Sequence, residues 1–131
     1  DSAFQLCTNL KTLELPDSVT FIGELAFYVC ASLTSIKLPS NLETISNRAF
    51  EACGGLTSIE IPSSVTSIGK GAFTHCSNLK SVTFEDSNDW YATENEDFTN
   101  GTQIDVSNIE TNANNLIKEN SLWQKKYLYK K

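Results

Sequence analysis

Apolar residues recur along this chain with a spacing of 23 residues. Four phenylalanines follow this step, at Phe4, Phe27, Phe50 and Phe73, and each is preceded by an alanine and followed three positions later by a cysteine. Leucine, isoleucine and valine positions repeat in the same register without an insertion. A fixed period of roughly 20–50 residues indicates a solenoid, a propeller or another repeat array.

Each repeat contains a segment in which apolar and polar residues alternate. In residues 33–39, Leu-Thr-Ser-Ile-Lys-Leu-Pro, the apolar Ile36 and Leu38 are separated by a polar residue, which is the periodicity of a β-strand. Pro39 ends the strand because it has no backbone N–H to donate. A second short segment, for example residues 65–69, places two apolar side chains inward before it reaches a glycine.

The Ala-Phe-x-x-Cys part of the repeat has apolar residues at i, i+1 and i+4. This spacing predicts a short 3₁₀ turn or a single α turn that closes each coil. One repeat cannot bury its apolar residues alone, so we expect successive coils to cover one another. The phenylalanine rings should then stack with an offset of one strand spacing.

The cysteines share one repeat position, at Cys7, Cys30, Cys53 and Cys76. Stacked coils would place them about 4.8 Å apart, a separation that permits a disulfide. A repeat imposes parallel side-chain directions, however, whereas a bridge needs opposed ones. We therefore expect free, buried thiols that act as small apolar residues. A zinc site is disfavoured because the ligands would lie in a row rather than in a tetrahedron.

The pattern Leu-x-x-Ile-x-Leu-Pro-x-x-Leu/Val-x-x-Ile-x-x-x-Ala-Phe-x-x-Cys, which covers residues 3–84, resembles the leucine-rich repeats of the BspA-like class. The Ala-Phe-x-x-Cys half distinguishes this class from most other leucine-rich repeats. The resemblance implies a secreted or cell-surface protein of a bacterium or protist, with a role in adhesion and in binding host proteins. We expect no enzymatic activity and no cofactor, because the sequence has no Gly-rich phosphate loop and no His-Glu-x-x-His motif, and no spacing singles out a pair of carboxylates for acid–base catalysis.

Together, the period and the resemblance predict an α/β-type solenoid. We expect a right-handed coil with a parallel β-sheet on its concave face, short helical turns and a mixed α+β cap at the C-terminal end. Residues 1–86 should hold about three and a half repeats, truncated at the N-terminal side, and residues 87–131 should form the cap. The chain begins inside a repeat, which suggests a piece of a longer array.

The repeat pattern degrades in its last copy, where Glu85 replaces the proline, as expected for a terminal repeat. Within the cap, residues 89–93 and 102–106 read as strands, residues 108–119 as a helix and residues 122–129 as a final strand. Ser107 and Glu110 have the spacing of a capping box. Ile109, Ala113, Leu116 and Ile117 should share the inward face of the helix.

The cap also contains an aromatic and aliphatic group that we expect to plug the last coil, formed by Trp90, Trp123, Tyr127 and Leu128. An exposed aromatic platform for a carbohydrate is the alternative interpretation of these residues.

The net charge of −6 argues against nucleic acid as a partner, since phosphate binding requires a basic patch. No apolar run reaches the roughly 18 residues of a membrane-spanning helix. The acidic excess is a solvated surface or, alternatively, a cation site formed by Asp86, Asp89, Glu94, Glu96 and Asp97. His75 is expected to be an exposed turn residue. A catalytic pair with Cys76 is not expected, because adjacent residues on a turn do not place the thiol and the imidazole within hydrogen-bond reach.

The surface of interest is the row of outward strand residues. Its members are Thr12, Glu14, Ser35, Lys37, Ser58, Glu60, Ser81 and Thr83. This row is a charge-balanced solvent face or a binding face for another protein, and the second interpretation follows the common use of repeat arrays. We therefore expect an interaction or adhesion module. The alternatives are a purely structural terminal segment and a carbohydrate-binding module.

Overall fold

The computed structural model describes residues 1–117 and 126–131. The repeats supply seven short strands: β1 Thr12–Glu14, β2 Phe21–Ile22, β3 Ser35–Lys37, β4 Thr44–Ile45, β5 Ser58–Ile61, β6 Ser67–Ile68 and β7 Ser81–Phe84. The C-terminal region supplies β8 Trp90–Thr93, β9 Thr102–Gln103, helix α1 Ile109–Ile117 and β10 Tyr127–Lys130.

Equivalent strands of successive repeats lie side by side and parallel. Thr12 faces Ser35 in β1 and β3, and Ser58 faces Ser81 in β5 and β7. These partners are 23 residues apart in the sequence, so one period of the pattern is one step of the stack. The second strands β2, β4 and β6 pair in parallel in the same way.

The interior consists of like side chains in columns, as predicted. The rings of Phe4, Phe27, Phe50 and Phe73 stack with centroids 5.1, 5.0 and 5.4 Å apart and planes within 3°. The three later rings are buried, whereas Phe4 in the first repeat is half-buried. Leu33 and Leu56 are also fully buried. The first repeat has no neighbour on one side, which explains its greater exposure.

The prediction of a 3₁₀ or α turn at Ala-Phe-x-x-Cys is wrong: these segments are non-helical turns. The residue before each cysteine has a left-handed backbone, with φ of 58° at Val29 and 60° at Ala52. The N–H of Val29 donates to the Glu51 carbonyl at 2.9 Å, and that of Phe27 to the Ala49 carbonyl at 2.8 Å. These bonds between repeats alternate with bonds inside the turn, such as that from the Cys30 N–H to the Phe27 carbonyl at 3.2 Å.

The last strand of the chain inserts into the sheet of the second strands. β10 pairs antiparallel with β6 on one side and with β8 on the other. The resulting sheet has the order β2-β4-β6-β10-β8-β9. β8 occupies the repeat position that would follow β6, so β10 separates two segments that the 23-residue period alone would place together.

Helix α1 covers the exposed edge of the other strand set by packing against β7. Its N-cap is Asn108, whose Oδ1 accepts the N–H of Thr111 at 2.9 Å, so the predicted Ser107–Glu110 capping box is wrong. Ala113 and Leu116 are buried as predicted, but Ile109 is 44% exposed. Asn112 is also buried, although the sequence pattern did not predict it to face inward.

The predicted helix end at residues 118–119 and the beginning of the predicted strand 122–129 lie outside the described residues. The predicted strand 102–106 is shorter in the structure and comprises Thr102–Gln103. No helix within residues 1–117 and 126–131 has the length and apolar character needed to cross a membrane.

Candidate functional site

The predicted strand face is exposed along almost its whole length. The side chains of Thr12, Glu14, Ser35, Lys37, Ser58, Glu60 and Thr83 all lie at the surface. Ser81 is half-buried, because α1 packs against the strand that carries it. The alternation of buried and exposed residues in β3 and β5 places the polar residues on this face and the isoleucines in the core.

Charges on this face pair between repeats. The Lys37 Nζ lies 3.0 Å from the Glu14 Oε1, and both side chains are more than 70% exposed. The hydrogen bond that Lys37 donates to Glu14, and then the charge of Glu14, raise the pKa of Lys37. An exposed pair of this kind contributes little to stability, but it occupies Lys37, whereas Glu60 is at the surface and forms no ion pair within residues 1–117 and 126–131.

A groove crosses the face between the second and third repeats. In the described chain, β1 pairs with β3 and β5 with β7, but no strand ladder joins β3 to β5. The groove has a volume of about 460 Å³, and Lys37 lines one wall while Glu60 and Glu85 line the other. The face therefore has a central depression with two carboxylates.

Glu85 was not among the predicted face residues. It stands where three earlier repeats have proline, and its Oε2 accepts the backbone N–H of Ser63 at 2.8 Å. In the sequence, the only sign of this residue's role is that glutamate replaces the repeated proline. Its position beside Glu60 depends on how the third and fourth repeats stack, which the sequence pattern does not specify.

The described members of the predicted aromatic plug are core residues. Trp90 is 1% exposed, donates its indole N–H to the Asp86 carbonyl at 2.9 Å and meets Phe84 edge to face at 4.9 Å. Tyr127 and Leu128 are buried in β10. Trp123 lies outside the described residues. The side chain of Trp90 is therefore not available as a platform for a ligand.

Three of the five acidic residues proposed as an alternative cation site are separately engaged. Asp86 binds Lys130, and that hydrogen bond is the main reason why its pKa is lowered. Glu96 accepts the Tyr127 hydroxyl at 3.0 Å, and Asp97 accepts the Thr99 hydroxyl at 2.7 Å. In the part of the chain that the structure describes, no three His, Cys, Asp or Glu residues come together around one ion position.

The thiols are free and face the interior. The thiol groups of Cys30, Cys53 and Cys76 donate to phenylalanine carbonyls of the preceding repeat at 3.1, 3.2 and 3.1 Å. Burial raises the pKa of Cys30 to about 11, and the adjacent thiol of Cys76 together with burial raises the pKa of Cys53. Such thiols are poor nucleophiles. His75 is exposed, whereas Cys76 is buried.

A sequence profile described as the BspA type leucine rich repeat region matches residues 1–128 with six copies. The match extends beyond residues 3–84, in which the repeat pattern is clearest. The chain matches no curated protein at a comparable level.

Three solved structures of bacterial proteins resemble the chain. A leucine rich repeat protein of T. pallidum is 43% identical over 63% of this chain and 38% of its own, with a TM-score of 0.62. A leucine rich cell surface protein of Faecalibacterium prausnitzii is 38% identical over 69% of this chain and 23% of its own, with a TM-score of 0.62. A leucine-rich repeat protein of Bacteroides ovatus is 30% identical over 63% and 27%, with a TM-score of 0.50. The chain spans well under half the length of each of these proteins.

Proposed function

The chain belongs to the BspA-type leucine-rich repeat family, and from that premise we propose that it is a non-enzymatic module whose exposed strand face binds another protein outside the cell. Repeat proteins of this kind serve as interaction or structural modules. The observation that carries the proposal is the row of exposed polar side chains on β1, β3, β5 and β7, supported by a buried scaffold. The extracellular location is supported by the likeness to a leucine rich cell surface protein.

In this proposal the stacked repeats wind as a right-handed solenoid with the strand face on the concave side. Residues 1–86 form the array and residues 87–131 form its cap. Four adjacent strands span only about 15 Å, whereas a specific interface buries roughly 800 Å² on each partner. The partner therefore also contacts the loops beside the strands or further repeats of a longer array.

The chemistry of the groove between β3 and β5 indicates which side chain the partner contributes. Lys37 is already paired with Glu14, while Glu60 and Glu85 line the opposite wall. An arginine or lysine entering the groove would meet two carboxylates, and charge-assisted hydrogen bonds are the stronger ones. The negative net charge of the chain would steer a basic partner towards it.

The test is a pull-down from a pool of extracellular proteins, followed by affinity measurement with each captured protein. Glu60→Lys should weaken binding at least tenfold, because it reverses one of the two groove charges. Glu43→Lys is the matched control, because Glu43 is also exposed but does not lie on the strand face. Unchanged affinity after Glu60→Lys and after alanine replacement of Glu14, Lys37 and Glu60 together would remove this face as the binding site.

A structural role at the end of a longer array is the second candidate. It is favoured by the way in which α1 covers β7 and β10 pairs with β6, since a repeat stack must hide its last edge. A chain that captures no partner, but that stabilises additional repeats of the same family when fused after them, would support this role over the first.

A further inference from the structure

A hollow of about 580 Å³ lies where the turns of the third and fourth repeats meet the C-terminal cap. Its wall includes Arg48 and Glu51 from one turn, Lys70 and Thr74 from the next, and Tyr127 from β10. It shares no residue with the exposed strand face, so it is a separate feature of the molecule. The hollow is shallow and wide open to solvent, so a ligand here would be only partly enclosed.

The hollow exists because one repeat lacks a side chain that the others have. At the left-handed turn position two residues before each phenylalanine, the repeats carry Ser2, Leu25, Arg48 and Gly71. A Cβ at residue 71 would lie only 3.2 Å from the Thr74 Oγ1. A side chain at residue 71 would therefore crowd Thr74 at the edge of the hollow.

The cap completes the opposite wall. Because β10 inserts between β6 and β8, it brings Tyr127 beside the turn of the fourth repeat. The Tyr127 hydroxyl donates to the Glu96 Oε1 at 3.0 Å, and the Lys70 Nζ lies 4.7 Å from the centre of the Tyr127 ring. Sequence reasoning could not find this wall, because it depends on the antiparallel insertion of the last strand.

The polar groups around the hollow include both donors and acceptors, and the charges nearly balance. Three carboxylates and two cations line it, namely Glu24, Glu51 and Glu96 with Arg48 and Lys70. Arg48 already binds Glu51, which is only 9% exposed. Thr74 is 7% exposed, and its hydroxyl has no hydrogen-bond partner.

This arrangement selects against a strongly charged ligand. An anion would face the carboxylates, and a cation would compete with Arg48 and Lys70 for them. A hydroxyl group can donate to a carboxylate and accept from an ammonium or guanidinium at the same time. Several neutral hydroxyls can therefore form hydrogen bonds with both kinds of group around the hollow without adding an unpaired charge. Tyr127 is buried, so the polar side chains around the hollow, rather than an aromatic face, would bind the hydroxyl groups of a sugar.

We propose that this hollow binds a neutral sugar residue, either as a free saccharide or as the exposed end of a glycan. The inference is independent of the protein-binding role of the strand face, because the two surfaces have no side chain in common. Both could operate in one molecule, with the cap-side hollow holding a glycan while the strands contact a protein.

The experiment titrates the 131-residue chain with neutral saccharides, namely glucose, galactose, mannose, N-acetylglucosamine and maltose, observed by NMR. A glycan array probed with the same protein separates a free sugar from a glycan end: binding to the array alone indicates the polymer. At least one saccharide or glycan should bind. Glutamate and glycine serve as zwitterionic probes, and binding of these in place of sugars would overturn the proposed ligand class.

Gly71→Arg should obstruct the hollow and reduce binding at least tenfold. The preceding repeat carries Arg48 at the equivalent left-handed position, and thermal denaturation checks that crowding against the Thr74 Oγ1 does not unfold the variant. Glu96→Gln alters an exposed residue and should weaken binding several-fold by replacing a charged acceptor. Lys37→Ala, on the strand face, is the control and should have no effect. Absence of binding to every saccharide and glycan would refute the proposal, as would binding that neither hollow variant reduces.

Discussion

At the scale of single residues, each repeat depends on one buried ring and one buried thiol. The phenylalanine rings are nearly coplanar and about one strand spacing apart, so every inner ring has a neighbour above and below. The cysteine that follows binds a carbonyl of the preceding repeat. These contacts link neighbouring repeats and do not stabilise an isolated one.

Phe50→Ala should lower the free energy of unfolding by about 3–5 kcal/mol, because it leaves a cavity in the fully buried column. Phe4→Ala should cost clearly less, since Phe4 is half-buried and is stacked on one side only. Urea denaturation of both variants measures the difference. Equal losses would contradict the column as the source of stability.

The buried thiols should react slowly with Ellman's reagent in the native protein and count four in denaturant. Cys7 should react before the others because it is only half-buried. A count of zero in denaturant would show that disulfides form instead.

The same burial makes stability depend on pH. The pKa of Cys30 rises from 9.0 to about 11 on folding, so above pH 9 the unfolded chain loses this proton more readily than the folded one. Stability should therefore fall as the pH rises from about 9 towards 11. Cys30→Ala should reduce the slope of this part of the profile without abolishing it, because the pKa of Cys53 is also raised. Thermal denaturation in matched buffers measures the slope, and an unchanged slope would exclude Cys30 as a source.

At the scale of elements, the last repeat needs substitutes for the neighbour that it lacks. Helix α1 provides one of them through Asn112, whose amide donates to the Val82 carbonyl at 2.9 Å and to the Val106 carbonyl at 2.7 Å. Val82 lies in β7, so a side chain here satisfies a carbonyl that a following strand would otherwise bind. Strand β10 similarly supplies a hydrogen-bonded neighbour for β6.

Asn112→Ala should therefore destabilise the protein by roughly 2 kcal/mol, because it leaves buried carbonyls without a donor. Asn114→Ala on the same helix is the matched control, since Asn114 is exposed and gains the same helix propensity. Chemical denaturation of the pair gives the difference. A loss no greater than that of the control would show that the carbonyls are satisfied in another way.

At the scale of the whole molecule, the repeats and the cap share one six-stranded sheet. Leu128 illustrates the connection, because it pairs with Ile68 of the third repeat and with Ala92 of the cap. Unfolding should be one cooperative transition, although the two regions differ in sequence pattern. Both tryptophans lie in residues 87–131, so their fluorescence reports on the cap and far-ultraviolet circular dichroism reports on the whole chain.

The two signals should have the same midpoint in urea, and Leu128→Ala should lower both midpoints equally, by about 2–5 kcal/mol in free energy. Ile109→Ala is the control, since Ile109 is 44% exposed on the helix surface. Separate midpoints in the unmodified protein would show that the cap and the repeats unfold independently.

The sequence alone was sufficient for the features that repeat. The period placed Ile36 beside Leu13 and Phe27 beside Phe50 without any structural information, because identical repeats can be equivalent only when they stack in register. It was not sufficient for the Ala-Phe-x-x-Cys turns. Their apolar spacing also suits a helix, and the left-handed residues that interrupt it, such as Val29 and Ala52, are not glycines.

What the sequence determined by itself was therefore the stack: a translation of 23 residues carries apolar residues onto apolar residues, and burial favours that arrangement over any other. The tertiary structure alone decided how the stack ends. The insertion of β10 between β6 and β8, the capping of Val82 by Asn112 and the hollow beside Gly71 all join segments that occur once. The repeat pattern predicts neighbouring strands only for segments that recur. For a segment that occurs once, only the folded chain shows which groups meet.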